Sequence, residues 1–220
     1  MSPPRACQRW NAERLAYWYF RLNGFLTTEN FVAHPDVGTN QRTDADLLAV
    51  RFAHRAENLQ RPMRDDPKVA SCTTFANVII AEAKTASCGL NGPWTDPTAR
   101  NMHRVLKAIG CVPDSALERA CEALHAGGCW SDAAVTIRLL ALGERRTSSL
   151  PIPPVQQITW SEVISFCVER FKAYEWEKSS VGQWTADGRK LREDALGKTP
   201  EASIRNSFGL RAERHPTGGT

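Results

Sequence analysis

Asn77-Val78-Ile79-Ile80-Ala81-Glu82-Ala83-Lys84-Thr85 is the stretch on which the fold turns. Four apolar residues lead into it and a strict alternation follows, the pattern of a strand that enters from a buried core and leaves toward polar surroundings. Successive strand side chains project to opposite faces, so Glu82 and Lys84 share one face. A carboxylate and an ammonium at the exit of such an apolar run are costly on a buried face. Either that strand end opens to solvent or the pair has chemical work to do.

Working outward, Asp44-Ala-Asp-Leu-Leu-Ala-Val-Arg-Phe52 begins polar and becomes apolar, as a buried strand entered from a loop does. Asp46 and Glu82 are 36 residues apart, the spacing of two neighbouring strands joined through an inserted loop. That loop is the charged, Pro-containing stretch 54–74, expected as a surface insertion with some mobility. Phe25 to Ala33 is rich in β-branched and aromatic residues and reads as a first strand, and 34–42 (HPDVGTNQR) is turn chemistry. Residues 10–23 predict a helix: Leu15, Trp18, Tyr19 and Leu22 form one apolar stripe, Asn11 can cap its start and Gly24 can end it, with Glu13 off that stripe at one edge of the helix. Downstream, Asp96-Pro97 opens a helix with Met102, Val105, Leu106 and Ile109 on its apolar face, closed by Gly110, and 114–126 predicts a second, shorter one. Val135 to Leu142 is a fourth strand ending at Gly143, TSSLPIPP (147–154) is a linker, and a helical pattern resumes at Thr159. The order is helix, three strands, helices, strand, helix, which is an α/β arrangement around a small central sheet. The expected organisation is a core over 8–146, a helical extension over 155–197 packed on it, and a flexible tail over 198–220.

If the two strands are adjacent, Asp46 and Glu82 can share one hard divalent cation. Mg²⁺ takes oxygen ligands, keeps several waters and is commonly held by one or two carboxylates together with phosphate oxygens. The backbone carbonyl of Ala83 lies between them as a further ligand, and Asp44 is the alternative to Asp46. Lys84 can then orient an attacking water, help lower its pKa or offset charge at a phosphorus centre. Glu13 can reach the same pocket to hold a second ion or a metal-bound water.

An Asp on one hydrophobic strand, followed by a hydrophobic strand ending in Glu82-Ala83-Lys84, resembles the PD-(D/E)XK nuclease superfamily, which includes restriction endonucleases, Holliday-junction resolvases and Mrr-type enzymes. The resemblance spans roughly residues 10–143. It implies a three-layer αβββαβ core around a mixed sheet and hydrolysis of nucleic-acid phosphodiesters with Mg²⁺ or Mn²⁺. It also implies Asp46 and Glu82 as metal ligands, Lys84 as the catalytic lysine and Glu13 as the optional helical acid. DNA is the expected partner, with RNA left open, and a homodimer would suit the cutting of two strands.

The remaining features set bounds on this reading. The chain has 220 residues, enough for a full core without staples, and 42% apolar with 24% charged residues is the composition of a globular domain. No run has the length and apolarity of a membrane helix, and Met1-Ser-Pro-Pro-Arg lacks the apolar segment of a signal peptide, so a cytoplasmic protein is expected. Seven scattered cysteines with no C-x-x-C pair argue for reduced thiols rather than a disulfide framework or a zinc site. The net charge of +4 permits a polyanionic partner without demanding one. Arg100, His103, Arg104 and Lys107 form a basic stripe that can follow a phosphate backbone or simply face solvent. His34 is a loop histidine with no evident partner, and Trp94, Trp160, Trp176 and Trp184 can stack on bases or fill the core. Two other functions fit these residues: a nuclease-like domain that binds nucleic acid or protein without turnover, and an unrelated α/β interaction domain in which Glu-Ala-Lys is incidental.

Overall fold

A computed structural model describes residues 10–34, 43–180, 182 and 184–210. The turn expected over 34–42 thus lies outside the described residues, save His34, which is exposed. In chain order the elements are α1 (Ala12–Leu22), β1 (Leu26–Ala33), β2 (Thr43–Phe52), the one-turn α2 (Pro67–Ala70), β3 (Ala76–Ala83), α3 (Asn101–Ile109), α4 (Asp114–Gly127), β4 (Cys129–Ser131), β5 (Val135–Gly143), β6 (Gln156–Thr159), α5 (Trp160–Ala173), α6 (Ala186–Ala195) and α7 (Pro200–Ser207).

The fold is α/β, with a mixed open sheet in the order β1-β2-β3-β5-β4 and β6 also on β5. β1, β2 and β3 run antiparallel in turn, and β3 pairs parallel with β5. A parallel neighbour requires a crossover, and α3 and α4 supply it. β3 is central, and Asn77 to Ala83 are all buried, which is why its sequence reads as a nearly continuous apolar run. Ile79 and Ala81 face a core shared with α1, α5, α6 and α7, while Val78 and Ile80 face a second core under α3 and α4. The result is helices on both faces of one sheet.

Local chemistry accounts for the first helix. Asn11 Oδ1 accepts the Arg14 backbone N–H at 2.9 Å, and Leu15, Trp18, Tyr19 and Leu22 are all buried as the stripe predicted. Gly24 follows the helix at φ +79°, a left-handed conformation that glycine adopts without the steric cost other side chains carry.

Several expectations are corrected. Pro97–Ala99 is a 3₁₀ turn, and Arg100 at φ +53° interrupts the chain before α3 begins at Asn101. Asp96 therefore caps the short turn rather than the helix. α4, at 14 residues, is longer than α3 at nine, not shorter. The 54–74 segment lies mostly at the surface and is held to the body by a few buried and charged contacts. Asp65 pairs with Arg51 at 2.7 Å and Arg170 at 2.9 Å, Glu57 pairs with Lys178, and Val69 is fully buried. The 147–154 linker inserts Leu150 and Ile152 into the second core.

The 155–197 helices make up most of one layer, since Trp160, Val163, Cys167, Phe171 and Leu191 share the α1 core. The flexible tail does not hold over 198–210: α7 forms there, Ile204 and Phe208 are fully buried, and Arg205 pairs with Glu144 at 2.8 Å. Ile204 and Phe208 are an i, i+4 pair, too short a pattern to stand out among Pro, Ser and Asn. Residues 211–220 lie outside the described residues. Among the described residues no helix is long and apolar enough to cross a membrane.

Candidate functional site

The β2–β3 ladder runs in register from Phe52↔Ala76 to Leu47↔Ala81 and then stops. Just past that point the Ala83 backbone N–H donates to Asp46 Oδ2 at 2.8 Å. A side-chain carboxylate thus takes the place of a main-chain acceptor where the two strands part. Asp46 sits at a bend in β2. Leu47 lines one core and Ala45 the other, although they are two apart, and Asn30 beside them in β1 has φ +51°. Asn is one of the few side chains that tolerate that left-handed region.

Glu82 is 1% exposed, on the α3/α4 face of the central strand. Its Oε1 accepts the Trp94 indole N–H at 2.6 Å, and its Oε2 accepts from Lys84 Nζ at 2.8 Å. Lys84 Nζ is also 3.4 Å from Asp46 Oδ2. One ammonium thus lies between two carboxylates from neighbouring strands. The Trp160 indole N–H donates to the Lys84 carbonyl at 2.9 Å, which fixes the end of the strand. Both Trp94 and Trp160 are fully buried, and a buried indole needs an acceptor for its N–H.

Burial pushes the Glu82 carboxyl up, and with the Asp46 charge it outweighs the hydrogen bonds from Lys84 and Trp94, leaving the group at about 7. Burial also opposes the Lys84 charge, but Glu82 and then Asp46 outweigh it and hold the ammonium above its usual range. Burial raises the Glu13 carboxyl, and the Asp46 charge adds to this against the pull of Lys84. Glu13 therefore stands within electrostatic reach of the pair, and its hydrogen bond is to Asn11 at 3.3 Å.

The structure brings Asp46, Glu82 and Lys84 together, with Glu13 nearby. Ala83 joins through its N–H. The Asp44 side chain lies outside the described residues, so Asp46 is the aspartate placed in the site. Among the described residues no three His, Cys, Asp or Glu side chains cluster as a ready-made metal cage. Asp46 and Glu82 are nevertheless hard oxygen donors converging on one point. Burial disfavours the Glu82 anion, and a cation placed beside it would favour that anion; two carboxylates are the donor type that a strongly hydrated divalent ion takes.

The basic stripe is not a bare cationic face. Arg100 and His103 both reach Glu118 of α4 at 3.2 Å, Lys107 pairs with Asp114, and Arg104 donates to the Ala99 carbonyl at 2.6 Å. Trp184 packs on Trp18 with centroids 5.1 Å apart, and Trp176 is 86% exposed. The six described cysteines are free thiols. Sequence reasoning missed the roles of Trp94 and Trp160. Trp94 lies only 12 residues beyond Glu82 in an otherwise polar loop, the one signal that could have found it.

Comparison with known proteins returns no matching family model, no similar curated protein and no similar solved structure.

Proposed function

We propose that the chain is a Mg²⁺- or Mn²⁺-dependent nuclease that hydrolyses phosphodiester bonds of nucleic acid, DNA being the expected substrate. The observation that carries this reading is the placement of Lys84 Nζ, 2.8 Å from Glu82 and 3.4 Å from Asp46 at the parting ends of β2 and β3. The order α1, β1, β2, β3, α3 and α4, β5 agrees with the αβββαβ core that the PD-(D/E)XK resemblance implies.

Asp46 and Glu82 would hold the ion, with the Ala83 carbonyl as a further oxygen donor. Bound there, the ion would supply Lewis-acid polarisation of a phosphoryl oxygen and acidification of a coordinated water. Lys84 orients the attacking water and offsets negative charge that builds on the phosphoryl oxygens. Trp94 holds Glu82 Oε1 and so aims Oε2 at the shared point. Glu13, whose carboxyl is raised by burial and the Asp46 charge, would hold a second ion or a metal-bound water at the edge of the site.

The test is cleavage of plasmid DNA and of a structured RNA with Mg²⁺ and with Mn²⁺, beside Lys84→Ala checked for folding by circular dichroism. Cleavage by the wild type that is lost in a folded Lys84→Ala supports the reading. A second reading, a nuclease-like binding module without turnover, draws on one observation: both Glu82 oxygens are already engaged, by Trp94 and Lys84. Binding of nucleic acid with no cleavage under either metal would select it.

A further inference from the structure

With Arg100 and Lys107 closed against acids of α4, a substrate backbone needs another cation close to Lys84. Arg145 stands at the same end of the sheet. β5 runs parallel to β3 with Leu142 level with Ala83, which puts Gly143 level with Lys84. Arg145 stands two residues past the end of β5, level with Ser87 in the loop that follows Lys84.

The sequence builds this position with care. A Cβ on Gly143 would stand 2.8 Å from both the Ala86 carbonyl oxygen and Cys88 Cα, so glycine lets the loop after Lys84 lie directly on the end of β5. The Glu144 N–H donates to the Ala86 carbonyl at 2.5 Å, the Cys88 N–H donates to the Arg145 carbonyl at 2.9 Å, and Ser87 pairs with Arg145 in a parallel bridge. The Arg145 Nε–H donates to Ser87 Oγ at 3.1 Å. Among the described residues Arg145 has no acidic partner and is exposed, whereas its neighbour Arg146 pairs with Glu162 at 2.6 Å.

We propose that Arg145, steadied by Ser87, binds the phosphate next to the one that Lys84 addresses on a nucleic-acid strand. The assignment rests on the nuclease reading above. A planar guanidinium whose terminal N–H groups remain available matches phosphate oxygens in a fork, and a hydroxyl beside it limits its freedom. Such a contact positions the substrate and carries no base information.

The test is the salt dependence of binding by the full chain to a short fluorescent duplex, read by anisotropy without metal so that no cleavage occurs. Arg145→Ala should lower the slope of log affinity against log salt by about 0.9, the value of one lost phosphate contact. Arg145→Lys should keep most of it, and Arg100→Ala should change the slope less than Arg145→Ala, because Glu118 lies 3.2 Å from the Arg100 side chain. Thermal melts of each variant check the fold. A folded Arg145→Ala with the wild-type slope overturns the assignment while leaving the nuclease reading intact. Failure of the wild-type chain to bind any nucleic acid overturns both.

Discussion

Replacing Glu82 with glutamine should make the protein more stable at neutral pH while removing its activity. Burial pushes the Glu82 carboxyl up to about 7 in the fold, against 4.5 for an unperturbed glutamate. Each tenfold change in proton affinity is worth about 1.4 kcal/mol, so its anion is disfavoured in the fold by about 3 kcal/mol. Because the folded value is raised, the folded state binds more protons than the unfolded one between these limits. The cost is absent below about pH 4.5, grows through the interval and is complete above about pH 7. Glutamine keeps an Oε1 acceptor for Trp94 and cannot ionise, but it leaves Lys84 with Asp46 alone, so the net gain should be about 2 kcal/mol. For a chain of this size that is about 4 to 8 °C in melting temperature. The assay is urea unfolding of both proteins in chelator at pH 5 and pH 8. The gain should appear at pH 8, nearly vanish at pH 5 and shrink at pH 8 when Mg²⁺ is added. A gain that does not vary with pH, or a glutamine variant less stable at pH 8, would refute the reasoning. Stability sacrificed at one buried acid is a common mark of a working site.

Mg²⁺ at tenfold above its dissociation constant should stabilise the wild type by about 1.4 kcal/mol; differential scanning fluorimetry should show this shift and its loss in Asp46→Asn, and equal shifts in both would place the ion elsewhere. Burial works against the Glu162 anion, but the Thr159 N–H, Arg146 and the Thr159 hydroxyl outweigh it and hold the carboxyl at about 2. Its contribution is therefore present above about pH 4.5 and lost as pH falls toward 2. After discounting for its partly exposed partner Arg146, Glu162→Gln should cost about 1 kcal/mol at pH 7, and a cost that persists at pH 2 would contradict this. Phe208→Ala should destabilise by about 3 to 5 kcal/mol in chemical unfolding, whereas a change under 1 kcal/mol would mean that the last helix is not part of the core.

The central strand was legible because burial on both faces forces a run such as Val78-Ile-Ile-Ala, and the placement of Glu82 and Lys84 on one face follows from strand geometry alone. α1 was legible through its cap and stripe. Short elements were not. β4 and β6 have three and four residues, at most two periods of the strand alternation and too few to stand out, and they form where the edge of β5 offers backbone partners. The basic stripe on α3 was visible in sequence, but Glu118 and Asp114, which close it, belong to the next helix. Local spacing carries no information about a partner on another element.

The sequence by itself determined the α/β class, the central strand and the residue types of the candidate site, because each depends on period and chemistry within a few positions. Only the tertiary structure decided that Asp46 reaches Ala83 where β2 and β3 part, that Trp94 and Trp160 hold Glu82 and Lys84 in place, and that the chain from 200 to 210 closes a core instead of trailing free. These contacts join residues 12 to nearly 200 positions apart, and their energy comes from burying groups that must then find partners.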